Sequence, residues 1–173
     1  MTDKYPWYGL VEGDSLEQGD ILRQCPVLLP MPDMTFPLTD NSISADLLTF
    51  DVIVMTQSCD LVNDKVPDVI LCSHFDLNEA GMLDASLGKK DTHKAILNGY
   101  RHRYMMLASN AEPPMGHRIV DFGRIFCLPK AFVRQFASGQ GKRLRLCPPY
   151  REHLSQSFAR FFMRVGLPQN IEI

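Results

Sequence analysis

The segment Gln57-Ser58-Cys59-Asp60 closes the most apolar run of the chain, and its side chains could do covalent chemistry. A thiol at the end of a buried strand becomes a nucleophile when a nearby base takes its proton. The chain offers five histidines for that role, and His74 and His102 are the leading general bases. Asp60 works against a thiolate, because adjacent negative charges repel. The same turn also has a purely structural reading. Cys59 then fills a strand end, and Asp60 caps the turn through its own carboxylate. Cys59, Cys72, His74 and His102 are also zinc-ligand types. The chain nevertheless has no Cys-x-x-Cys or His-x-x-x-His pair, so no metal is expected.

A second set of residues suits binding rather than bond making. Lys89, Lys90, Lys94, Arg101 and Arg103 form one basic group, with Tyr100, His102 and Tyr104 among them. Lys142, Arg143, Arg145 and Arg151 form another. Cations interleaved with aromatic rings can neutralise phosphates and stack bases. Arg160 and Arg164, one helical turn apart, could extend such a surface. The alternative is a solvated face paired with acidic residues elsewhere.

Charge is divided along the chain. Residues 1–87 hold 3 basic and 15 acidic residues, and residues 88–173 hold 15 basic and 5 acidic. The halves therefore carry −12 and +10, which leaves the small net charge of −2. Such a dipole can mark a polyanion-binding surface, or it can be cancelled when the halves fold together. No glycine-rich phosphate loop, dinucleotide fingerprint or Gly-x-Ser-x-Gly elbow occurs, which disfavours ATP hydrolysis, hydride transfer and serine esterase activity. No cofactor is implied. No apolar run approaches the ~20 residues that span a bilayer. The first residues lack a signal-peptide core, and five irregularly spaced cysteines do not suggest a disulfide framework, so a cytosolic place is expected.

These side chains must be positioned by a sheet. Asp20–Leu29 reads as a strand, with Pro26 marking an edge or a bulge. Phe50–Thr56 is a near-continuous apolar run, as in a strand buried on both faces, and Asp68–Cys72 is a second. Further strands are expected at Tyr104–Leu107, Arg118–Phe122, Arg124–Leu128 and Arg143–Leu146. Residues 1–19 read as an irregular lead-in and 30–47 as a long loop. Short helices broken near Gly88 are expected within 77–101, and another over 129–137. The apolar stripe Leu154, Phe158, Phe161, Phe162 and Val165 predicts a helix over 150–165, with Pro149 at its start and Gly166 at its end. That stripe is either core or a surface for a protein partner or a second copy.

The order Gln18-Gly19-Asp20-Ile21-Leu22, a loop, Asp51-Val52-Ile53-Val54-Met55 with a polar turn, then Val69-Ile70-Leu71-Cys72 resembles the opening of MazF/PemK-type toxins. The likeness covers about the first 75 residues. It implies an SH3-like barrel and sequence-selective RNA cleavage without metal. Thr49-Phe50-Asp51 stands where that family has Arg-Pro, and no catalytic residue is carried over.

The expectation is one α+β domain over 1–173: a small, strongly bent, mainly antiparallel sheet or partial barrel, covered by about three helices. The leading function is a binding module or accessory subunit whose basic half binds nucleic acid or an acidic partner. The alternatives are a small hydrolase or nuclease centred on Gln57–Asp60, and a structural subunit that docks through the Phe-rich last helix.

Overall fold

Val52, Ile53 and Val54 are all fully buried, which requires a strand covered on both faces. They end β3 (Ala45–Val54) in a five-stranded antiparallel sheet. The sheet runs β2 (Ile21–Pro30), β3, β4 (Asp68–Asp76), β6 (Arg118–Pro129), β5 (Tyr104–Leu107). A two-stranded sheet pairs β1 (Tyr8–Val11) with β7 (Arg143–Leu146). The computed structural model describes residues 5–34, 36 and 45–163. The helices are α1 (Ser58–Val62), α2 (Ala80–Leu83), α3 (Lys90–Leu97), α4 (Lys130–Gly139) and α5 (Tyr150–Phe162), with a 3-10 turn at Ala85–Gly88.

Strand alternation explains the layers. Val52 and Val54 join Leu22, Leu71, Val133 and Ala137 in one core, under α4. Ile53, between them in sequence, points the other way. It joins Val120, Phe122, Leu146 and Leu154 beneath the small sheet and α5. A third cluster, Ala80, Leu87, Ile96 and Ile119, fixes α2, the 3-10 turn and α3 beside β6.

The result is an α+β fold with a bent, open sheet; it does not close into a barrel. Two irregularities bend it. The β2–β3 register shifts between Leu22 and Cys25, where Gln24 takes a positive φ of 53° and donates its amide to Asp51 Oδ1 at 2.9 Å. The β4–β6 register shifts at Phe122–Arg124, because Cys72 faces Ile125 and Ser73 faces Asp121. The two strands expected at 118–128 are therefore one strand with extra residues at the bend. Pro26 does lie on an edge strand, as its missing amide requires.

Other expectations need correction. The lead-in contains β1, and β3 begins at Ala45 inside the expected loop. Residues 35 and 37–44 of that loop, and residues 164–165 of the expected last helix, lie outside the described residues. The Gln57–Asp60 turn is the first turn of α1, with Gln57 at its N-cap position accepting the Asp60 and Leu61 amides on its carbonyl and making no side-chain capping bond.

The two sheets meet at Gly19-Asp20. Gly19 donates its amide to Val54 and accepts from Leu146, at 2.9 and 3.0 Å. Its φ is +85°, and a Cβ there would stand 2.9 Å from the Leu146 Cβ, so only glycine fits. Asp20 is fully buried. Its Oδ2 accepts from Arg143 Nε and Nη2 at 3.2 and 3.1 Å, and from Arg145 Nη2 at 3.0 Å. Its Oδ1 accepts from Arg145 Nε. The spare guanidinium protons of Arg143 go to the carbonyls of Gly13 and Ser15. Nearly every donor around the buried charge thus has an acceptor, the condition under which such a pair is tolerated.

Asp20→Asn should lower unfolding stability by about 3–5 kcal/mol, because the buried Arg143 then keeps no carboxylate partner among the described residues and Arg145 keeps only Glu17. The urea midpoint reads this loss. Asp60→Asn, which breaks the exposed pair with Lys65, should cost less than about 1 kcal/mol. Equal losses in the two variants would refute the central role of Asp20.

Candidate nucleic-acid interface

A cleft of about 450 Å³ opens between the end of α3, β5 and the outer side of α5. Each wall has a local cause. Asn98-Gly99 ends α3 through a left-handed glycine at φ +72°, with the Tyr100 amide bonded back to Ala95 at 2.8 Å. The chain then turns through Arg101 and His102 before entering β5 at Tyr104. The opposite wall is the polar side of α5, where His153, Gln156, Ser157 and Arg160 recur at helical spacing. Leu154 on the other side is fully buried and anchors the helix.

The floor joins distant segments. Trp7 stacks on Tyr150 with ring centroids 3.7 Å apart and planes 9° from parallel. The Cys147 amide donates to the Trp7 carbonyl at 2.9 Å, which ties the lead-in to the start of α5. The His153 ring meets Tyr150 edge-on, with centroids 6.2 Å apart. Two arginines, two histidines and three aromatic rings therefore border one concavity, and no carboxylate of the described residues lines it.

The structure sorts the basic residues into two kinds. Arg143 and Arg145 are committed to Asp20, and Arg143 is only 3% exposed, so neither offers its charge to a ligand. Arg103 grips Asp121 through two bonds of 2.7 and 2.8 Å, with its guanidinium 5.3 Å from the Tyr104 ring centre. Arg118, Lys130, Arg134 and Arg151 also pair with carboxylates of the acidic half. Arg101 and Arg160 make no ion pair among the described residues, and both line the cleft with His102 and Tyr104. Lys89, Lys90, Lys94 and Tyr100 are exposed on and beside α3, outside the cleft lining. Lys142 stands apart, with Arg23 at a smaller cavity of about 140 Å³.

The residues expected to do covalent chemistry do not come together. Cys59 is exposed on α1, its Sγ 3.7 Å from Asp60 Oδ1, and Asp60 pairs with Lys65 at 3.6 Å. Neither lines the cleft that holds His102. His74 is buried within β4. Arg118 Nε donates to His74 Nδ1 at 3.0 Å, while Arg118 Nη2 bonds Asp51. His74 Nε2 is buried and closes no hydrogen bond, although the Val52 carbonyl on β3 favours a proton there. No group of three or more His, Cys, Asp or Glu among the described residues could hold a metal. No described helix is long and apolar enough to cross a membrane. On α5, Phe158 and Phe161 pack towards Phe122, with centroids 5.7 and 6.5 Å away, while Phe162 is exposed.

Trp7, Tyr150, Gln156 and Ser157 are polar or aromatic cleft residues that the sequence did not single out, and His153 entered only as one of five possible bases. Two signals were present: the chain has a single tryptophan, and the polar positions of α5 repeat at three and four residues.

Burial and the Arg118 charge push His74 down to about 3, so the ring is neutral in the folded protein. An unfolded histidine takes its proton near pH 6.5. Between these values the unfolded chain binds the extra proton, so stability is intact above about pH 6.5 and falls as the pH drops toward 3. His74→Gln should flatten that fall when urea midpoints are compared at pH 7 and pH 4.5. An unchanged slope would show that His74 is not the buried neutral group. The chain as a whole matches no protein-family model, and no curated protein is significantly similar to it.

Proposed function

We propose that this chain is a cytosolic binding module or accessory subunit that holds nucleic acid across the cleft between α3 and α5. The carrying observation is that Arg101 and Arg160, without ion pairs among the described residues, line one concavity that also holds Trp7, Tyr104 and Tyr150. Cations that are not neutralised internally keep their charge for an outside anion, and the rings suit bases. The cleft lies within the common range of ligand sites, about 300–1,000 Å³. Lys89, Lys90 and Lys94 on the neighbouring helix widen the positive field. Their exposure suits long-range steering, which falls off within about 8 Å at physiological salt. The five free thiols fit a reducing compartment.

An enzymatic reading centred on Cys59 has less support, because no histidine bonds to that thiol among the described residues. An acidic protein surface would use the same cations but would leave the rings without a role.

Binding of labelled oligonucleotides across a salt series tests this reading. Affinity should fall linearly with the logarithm of salt concentration. Arg101→Ala and Arg160→Ala should each lower affinity and reduce the slope by roughly 0.7 for a single strand. Lys142→Ala, outside the cleft, should change binding little. No binding at low salt, or an unchanged slope in both arginine variants, would overturn the proposal.

A further inference from the structure

The cleft holds more than positive charge, and its composition narrows the ligand. We propose that it is a one-nucleotide site that takes an unpaired base on the Trp7–Tyr150 stack and the attached phosphate on Arg101 and Arg160. This rests on the nucleic-acid reading above and specifies what that cleft recognises.

The geometry carries the argument. Trp7 and Tyr150 are already parallel at 3.7 Å, so a planar base can extend an ordered stack without first ordering the side chains. The stack is fixed from behind: Cys147 bonds the Trp7 carbonyl, and Leu154 buries the first turns of α5. The arginines come from different elements, Arg101 from the turn before β5 and Arg160 from the last turn of α5. A phosphate between them would bridge the walls through charge-assisted bonds. A cavity of about 450 Å³ suits one nucleotide unit rather than a duplex, whose bases are paired and hidden in the stack. A duplex would meet the arginines but could not reach the tryptophan.

The same chemistry is offered by a free nucleotide and by a nucleotide within a single strand, and the chain's single tryptophan tells these apart. Trp7 fluorescence is titrated with a nucleoside 5′-monophosphate, a single-stranded decanucleotide, a duplex of the same sequence and inorganic phosphate. Quenching by both the monophosphate and the single strand, with little from the duplex or phosphate, is the expected result. A single strand at least tenfold tighter than the monophosphate assigns the source to a strand, and equal affinities assign it to the free nucleotide. Trp7→Leu, read by anisotropy of a labelled strand, should lose about 5- to 100-fold in affinity, as expected for one stacked base. Should that variant fail to fold, Arg101→Ala tests the phosphate half, because it should weaken the monophosphate without touching the stack. Duplex binding as tight as single-strand binding, with no quenching by either, would overturn this inference and leave the nucleic-acid reading standing. Equal quenching by inorganic phosphate would also overturn it. No binding by any probe would overturn both.

Discussion

The buried Asp20 carboxylate is the constraint on which the cleft depends. Asp20 immediately precedes β2, yet its partners Arg143 and Arg145 belong to β7. Burying three charges is costly, and the arrangement survives because the guanidiniums also reach the Gly13 and Ser15 carbonyls. The consequence is positional. Once β7 is docked at Asp20, its register with β1 places Tyr8 opposite Leu146. The next residues, Trp7 and Cys147, are then hydrogen-bonded, and α5 starts three residues later. One wall and the floor of the cleft thus hang from an ion pair on the far side of the small sheet.

The opposite wall is held differently. Among the described residues β5 pairs only with β6, and Arg103 clamps the turn before it to Asp121 beside the β6 bulge. Gly123 lies where a Cβ would be 2.7 Å from Arg103 Nε, so a larger residue at the bulge would push the Arg103 side chain aside. Two rigid supports, each built on a buried or half-buried arginine–aspartate contact, therefore face each other across the cleft. Such preorganisation matters for a binding site, because ordering side chains on binding lowers affinity.

The division of charge along the chain has two outcomes at once. Most ion pairs among the described residues join an acid of the first half to a base of the second, as Arg118 with Asp51 and Arg134 with Asp14 do. Folding thereby cancels much of the dipole. What remains positive is a minority of cations that form no ion pair among the described residues; Arg101, Arg160 and the lysines of α3 lie at or beside the cleft, whereas Arg23, Arg124 and Lys142 lie elsewhere. The His74–Arg118–Asp51 cluster belongs to the cancelled set: burial opposes ionisation of Asp51, but the Gln24 amide and the Arg118 charge outweigh it and hold that carboxyl below its ordinary value.

Local pattern was sufficient for much of the frame. The runs Val52-Ile53-Val54 and Val69-Ile70-Leu71 were legible as strands, although only the first is buried throughout and Ile70 is exposed, and the spacing Leu154, Phe158, Phe161 could only be one face of a helix, because these periodicities are properties of a few consecutive residues. Arg101, His102 and Tyr104 were likewise legible as a basic and aromatic cluster, since they are neighbours in the chain. β1 was not, because Tyr8-Gly9-Leu10-Val11 is short, contains glycine and pairs only with a strand more than 130 residues away. By itself the sequence determined most of the strands though not all their bounds, the long helix and the supply of cations. Only the tertiary structure decided which cations stay available. Arg101 and Arg145 look alike in sequence, but a fully buried carboxylate 125 residues distant claims one of them, and no local pattern encodes that distance.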